Sequence, residues 1–321
     1  MVKGTQSKMV IGISARALFD LTKEHQIYLT RGVEAYCKYQ MEHEREALRP
    51  GPGFGLIRAL LSLNSRCKEQ PVEVIIMSHN SPDTSLRVFN TIRHYGLDIT
   101  RAVLVSGASL APYLEAFHTD LYLSACEEDV QCAIDSGIAA GIICTERTGS
   151  FGTEEATEAD DRIRIAFDGD AVLFTDESER IFRTGGLHAF VENEEKNADN
   201  PLADGPFANF LRKLASLQRA VDDGEGVCPI RTALVTSRSA PAHERVIRTL
   251  RSWNVRVDEA FFLGGLEKRE VLAAFGAQIF FDDQSVHTQS AAQAVPAARV
   301  PYRKTGRRDN LLNEISDDRA S

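Results

Sequence analysis

A chain of 321 residues has room for about two domains and a sizeable core. Its 43% hydrophobic and 26% charged residues are those of an ordinary globular protein, which excludes a chain that is disordered throughout. The formal net charge of −9 argues against a general binder of nucleic-acid backbone, yet leaves room for a small phosphorylated ligand held by local groups.

The opening stretch "MVKGTQSKMVIGIS" runs straight into a strand-like segment and lacks the apolar region and cleavage site of a secretory signal, so the expected compartment is the cytoplasm. The longest apolar stretch, "GIAAGIIC" at 137–144, is far short of the roughly 20 residues of a membrane helix, so no membrane partner is expected. The six cysteines contain no C-x-x-C and read as reduced thiols. Nothing in the sequence decides whether the chain forms a homo-oligomer.

In chain order, the β-type runs "MVIGIS", "VEVIIMS", "RAVLVSG" and "TDLYLSA" alternate with helical patterns, which predicts an α/β fold with a mainly parallel sheet. The order then recurs. Residue n set against n+154 aligns 14–63 with 168–217 without a gap, and the matches include Gly32 with Gly186, Gly51 with Gly205 and Pro52 with Pro206. An offset of 158 aligns 78–125 with 236–283 and lays "RVFNTIRHYGLDITRAVLVSG" on "RVIRTLRSWNVRVDEAFFLGG". The expected plan is a duplicated Rossmann-like parallel-sheet unit: a first copy at 8–145, a polar acidic linker at 146–161 and a second copy at 162–302. Within the second copy, 176–230 is too long for a simple crossover and is expected to form a helical cap. The charged stretch 303–321 is expected to be poorly ordered.

Four signals in the second copy carry the chemistry. In "IAFDGDAVLF" an apolar strand ends in Asp168 and Asp170, whose spacing puts both side chains on one side of an extended backbone. Two convergent carboxylates suit a hard cation such as Mg²⁺. In "IRTALVTSRSAP" a strand ends in Thr236 and Ser237, hydroxyls that could donate to a phosphoryl oxygen or cap a helix. Lys268 follows a strand and a Gly-Gly pair and opens a helix, and Asp282 and Asp283 close the strand of "AQIFFDDQS". A parallel sheet would gather all four along one edge.

This arrangement resembles the haloacid dehalogenase-like phosphohydrolases, whose signature is D-x-D-x-[TV], then Ser/Thr, then Lys, then an acidic pair; "DGDAV" matches its first element with Val172 last. More specifically, "ISARALFD", "GVEAYCKYQ", "FDGDAVLFTDESER", "NPLADGP", "CPIRTALVTSRSA", "TLRSW" and "IFFDDQ" resemble the cytosolic 5′-nucleotidase type I family from about residue 10 to 302. The resemblance implies Mg²⁺-dependent hydrolysis of nucleoside 5′-monophosphates, with AMP or IMP as the expected substrates. It also implies roles: Asp168 as nucleophile, Asp170 as acid and base, Thr236 on the phosphoryl group, Lys268 as the neutralising cation, and Mg²⁺ on Asp168, Asp170, Asp282 and Asp283, with Asp282 favoured for direct contact. Phe207 and Phe210 in the expected cap are candidates to stack on a base, although core packing would explain them too.

At the matched positions the first copy has Ser14, Arg16, Ser78, Leu110, Ser124 and Ala125, so every carboxylate and the lysine are gone and that copy is expected to be non-catalytic. Two other readings stay open: a phosphatase for another small phosphomonoester, and a nucleotide-sensing protein without turnover.

Overall fold

The computed structural model describes residues 8–67, 69–145, 162–222 and 228–303; the expected linker and all but Arg303 of the expected tail lie outside them. Among the described residues there are twelve strands: β1 (Met9–Ile13), β2 (Phe19–Asp20), β3 (Arg49–Pro50), β4 (Val72–Ser78), β5 (Arg101–Leu104), β6 (Leu121–Ser124), β7 (Ala139–Ile143), β8 (Ile163–Phe167), β9 (Ile230–Thr236), β10 (Glu259–Phe262), β11 (Ile279–Asp282) and β12 (Ala297–Arg299). β2 and β3 pair with each other, and the other ten form one sheet in the order β10-β9-β8-β11-β12-β7-β6-β1-β4-β5. Strands such as β4, "VEVIIMS", are almost continuously apolar because helices cover a parallel sheet on both faces.

The sheet has two halves with the same internal order. β5-β4-β1-β6-β7 and β10-β9-β8-β11-β12 are each parallel throughout, and they join through the antiparallel pair β12–β7. The strand C-termini of the two halves therefore point in opposite directions. Matched positions also make matched buried contacts. Leu48 N–H donates to Thr91 Oγ1 at 3.1 Å, and Leu202 N–H to Thr249 Oγ1 at 2.9 Å. Arg87 Nε donates to the Glu46 carbonyl at 3.0 Å, and Arg245 Nε to the Asn200 carbonyl at 2.9 Å.

The expected cap differs from expectation. Its helix Glu177–Lys196, bent at Gly186 (φ +72°), has a counterpart in the first half, the helix Thr22–Glu42 bent at Gly32 (φ +80°). Its second helix, Ala208–Val221, matches Phe54–Arg66. The helix pair thus belongs to both halves and is no insertion peculiar to the second. Ala208–Val221 is not a lid either. Phe210, Leu211, Leu214 and Leu217 form a single buried stripe, which a soluble helix can shield only by lying on the sheet. It reaches β1 of the other half, as Phe54–Arg66 reaches β8. Among the described residues no helix is long and apolar enough to cross a membrane.

The paired Gly-Pro positions have a steric cause. A Cβ on Gly205 would stand 2.6 Å from the Val172 carbonyl oxygen, and one on Gly51 would stand 2.8 Å from the Phe19 carbonyl carbon. Neither neighbour is a side chain that can move aside. Gly205→Ala is expected to lower stability by about 1–3 kcal/mol, and urea unfolding of the variant against wild type measures it; an unchanged midpoint would contradict this packing.

Candidate active site

β8 ends at Phe167, and the backbone leaves it through an irregular turn over Gly169–Leu173 in which Ala171 takes φ +59°. Asp168 stands at the start of this turn and is buried. Lys268, just ahead of the helix Arg269–Phe275, donates from Nζ to Asp168 Oδ1 at 2.7 Å and to Asp282 Oδ2 at 2.6 Å. Asp282 closes β11, and its carboxylate also accepts from the Gln284 N–H at 2.8 Å and faces His287 Nδ1 at 3.2 Å. Asp283 follows, also buried, and accepts from the Tyr302 hydroxyl at 2.5 Å. Two strand ends and one helix start therefore meet at one point.

Asp170 does not converge with Asp168 as the period-2 argument predicts, because the strand stops before either residue. It turns instead to Arg238, whose Nε and Nη2 donate to Asp170 Oδ2 and Oδ1 at 2.8 and 2.7 Å. Arg238 also donates from Nη1 to Glu194 Oε2 at 2.6 Å, and Glu194 Oε1 accepts from Arg245 at 3.0 Å and from the Ser178 hydroxyl at 2.9 Å. The two aspartates are thus tolerated through separate cations. Arg238 and Glu194 escaped the sequence reading, and the only local hint was that Arg238 follows Thr236 by two residues.

Thr236 is buried at the end of β9, with its Oγ1 accepting from the Arg238 N–H at 3.3 Å and lying against Gly169, where an added Cβ would meet it at 3.3 Å. Ser237 is exposed beside it. Phe207 and Phe210, named as base-stacking candidates, are 0% and 2% exposed and pack with Phe167 and Phe281. They belong to the core and present no ring to a ligand. The helix that carries Phe210 buries that face on the sheet.

The electrostatics of the cluster ask for more positive charge than Lys268 provides. Burial, helped by the Asp282 charge and opposed by Lys268, pushes the Asp168 carboxyl up to about 7. Burial likewise pushes Asp283 up to about 6, against the Tyr302 hydrogen bond. Burial works against the charge of Asp282 too, but His287 and Lys268 outweigh it and hold Asp282 below the ordinary carboxylate range. The Lys268 pKa is raised, since Asp168 and Asp282 overcome its desolvation. Carboxylate oxygens of Asp168, Asp282 and Asp283 lie within 4.8 Å of one another. An all-oxygen, undercompensated acidic set fits a hard divalent cation such as Mg²⁺.

A family model described as 5′-nucleotidase matches residues 1–307. The chain belongs to the 5′-nucleotidase family. It is 37% identical to "Cytosolic 5′-nucleotidase 1B" of Homo sapiens over 308 residues, which are 93% of this chain and 50% of that protein. The chain therefore spans about half the length of this family relative. Among solved structures, "Structure of Pnkp1/Rnl/Hen1 complex" aligns over 93% of this chain and 98% of that one at 13% identity and a TM-score of 0.31, a likeness too remote to carry any argument.

Because the folded Asp168 carboxyl titrates above its ordinary value of 3.8, the metal-free folded state holds more protons than the unfolded chain between about pH 4 and 7. Its contribution to stability is present below that window and is lost as pH rises through it. Asp168→Asn removes this titration, so the stability of the variant relative to wild type should rise from about pH 5 to pH 8 in chelator. Thermal melts of the two metal-free proteins measure the difference; parallel curves would contradict the burial argument.

Proposed function

We propose that the chain is a Mg²⁺-dependent 5′-nucleotidase that hydrolyses nucleoside 5′-monophosphates, AMP or IMP foremost, through an aspartyl-phosphate on Asp168. The observation that carries this reading is the convergence of Asp168, Lys268, Asp282 and Asp283 from separate segments, with Thr236 and the Asp170–Arg238 pair beside them. The name of the human relative supports nucleotide hydrolysis and a cytoplasmic setting.

Asp168 has one oxygen on Lys268 and the other free of hydrogen bonds to described groups. The free oxygen attacks phosphorus, the bond from phosphorus to the 5′-oxygen breaks, and the leaving oxygen takes a proton from Asp170. In the second step Asp170 takes a proton from water, the water oxygen bonds to phosphorus, and the bond to Asp168 breaks to release phosphate. Lys268 offsets the negative charge of nucleophile and phosphoryl oxygens, and Thr236 donates its hydroxyl to one of those oxygens. Arg238 Nε and Nη2 donate to both Asp170 oxygens and so fix the position of its carboxyl for the two proton transfers. For its acid role in the first step Asp170 takes a proton from solvent as the arriving phosphate dianion draws the Arg238 fork away.

Mg²⁺ would be held by the Asp168 and Asp283 carboxylates and the Asp170 carbonyl, and supplies neutralising charge at the phosphoryl oxygens when bound. Asp283 is the better direct ligand on this geometry. Asp282 already satisfies Lys268, Gln284 N–H and His287, whereas the one side-chain hydrogen bond that Asp283 accepts among the described residues is from Tyr302.

We further read the two halves as a duplicated haloacid dehalogenase-like unit with a non-catalytic first copy at 8–145. The common strand order and the matched buried hydrogen bonds support it. In the first half Ser14 stands in place of Asp168 and accepts only a local bond from Ala17 N–H at 3.3 Å among the described residues. Arg16, in place of Asp170, is half-buried near Tyr36 and Cys126, and desolvation lowers its pKa.

Asp168→Asn is expected to retain the fold and to release phosphate from AMP or IMP at less than about one thousandth of the wild-type rate, and Asp170→Asn to lose about 10²–10⁴-fold. Chelation should abolish turnover and added Mg²⁺ restore it. Phosphate-release assays over a panel of nucleotides and sugar phosphates check these outcomes. Equal activity in Asp168→Asn would remove the mechanism, and preference for a sugar phosphate would move the substrate class while keeping it.

A further inference from the structure

The first half carries a second cluster of metal-ligating groups, away from the site above. His79, immediately after β4, places Nε2 at 2.7 and 2.8 Å from the two carboxylate oxygens of Asp129. Cys126, at the turn between β6 and the helix Glu127–Asp135, completes a set in which the ligand atoms all lie within 4.8 Å of one another. Cys126 Sγ also donates to Glu128 Oε2 at 3.1 Å, so a fourth oxygen is at hand. An independent feature points into the same place: Tyr122 on β6 is 0% exposed, and among the described residues its buried hydroxyl has no partner within hydrogen-bond geometry. It lies close enough to Asp129 and Ser124 to interact with both, although burial is the main reason its pKa is raised.

An ordinary ion pair would account for His79 and Asp129 alone. It does not account for a thiol in the same cluster or for a buried hydroxyl left without a partner. Sulfur, imidazole and carboxylate together suit a borderline transition metal, in contrast to the all-oxygen cluster around Asp168. Zinc bonds of about 2.0–2.3 Å can span ligand atoms spaced this way after shifts of a fraction of an ångström. Half-exposed His79 leaves a route for the ion and a place for a water.

We propose that His79, Cys126 and Asp129 form a structural Zn²⁺ site that ties the tip of β4 to the tip of β6 across β1. Binding releases the Cys126 thiol proton to solvent. The His79 proton moves from Nε2 to Nδ1, which frees Nε2 to ligate. The site belongs to the half that lacks the carboxylates and lysine of the catalytic centre, so it acts on the stability of that half and not on the chemistry.

Cobalt(II) is the probe, because a thiolate ligand produces a near-ultraviolet charge-transfer band that oxygen ligands do not. The full-length chain, stripped with chelator and titrated with Co²⁺, should show this band, and Asp168→Asn should retain it. Cys126→Ser should lose it, and Asp129→Asn and His79→Ala should weaken Co²⁺ binding by at least about tenfold. Zn²⁺ should raise the melting temperature of wild type and of Asp168→Asn, but not of Cys126→Ser. Absence of the band from folded wild type, its persistence in Cys126→Ser, or an equal Zn²⁺ effect in wild type and Cys126→Ser would each overturn the proposal. Near-ultraviolet circular dichroism verifies folding, and Asp129→Asn carries the test if Cys126→Ser does not fold.

Discussion

One ammonium group shared by two buried carboxylates organises the second half of the sheet. Lys268 binds Asp168 and Asp282 together, so the end of β8, the end of β11 and the start of a helix are tied at one point. Both acids are almost wholly removed from water, and neither could remain charged there without a partner. Lys268 and His287 face three buried carboxylates, and burial above all raises the pKa values of Asp168 and Asp283. A structural salt bridge would be neutral once formed, whereas this cluster keeps a third buried carboxylate, Asp283, to which Lys268 makes no hydrogen bond.

The same principle of buried charge recurs away from this centre, with different residues in each half. Around Arg245 the acid is Glu194 and the neighbouring hydroxyl Ser178. Around Arg87, at the matched place, the acid is Glu24 at 2.6 Å and the neighbour the Gln40 amide oxygen at 3.3 Å. The carboxylate has changed position within the network, yet each buried arginine keeps one. A buried guanidinium without its counter-charge costs several kcal/mol, so the pairing persists while the residue that supplies it changes. In the second half the network extends through Arg238 to Asp170, which links the bent helix Glu177–Lys196 to the sheet edge that carries Asp168.

Much of the site was legible because strand-end residues announce themselves. Charge after an apolar run, as in Asp168, Asp282 and Asp283, needs an explanation in the sequence itself, and Lys268 opening a helix after Gly-Gly falls into the same order. Arg238 carries no such mark. It lies in a loop of small residues, and its partners are 68 and 44 positions away, so its importance comes from three segments folding together. Tyr302 was hidden in the same way at the edge of a stretch read as a tail, although it reaches both Asp283 and Glu179. Phe207 and Phe210 failed in the opposite sense: an aromatic side chain fits a base and a core equally well until the faces of its helix are assigned.

By itself the sequence determined the alternation of strands and helices, the recurrence of that order, and the residue types at the strand ends, because these depend on periodicity and on the cost of charge beside apolar runs. Only the tertiary structure decided that β7 and β12 join antiparallel and turn the two sets of strand ends in opposite directions. It alone assigned Arg238 to Asp170 and laid the helix Ala208–Val221 on the sheet. Local spacing limits what a segment can form, but which charges are neutralised and which faces are dry depends on partners that become neighbours through folding.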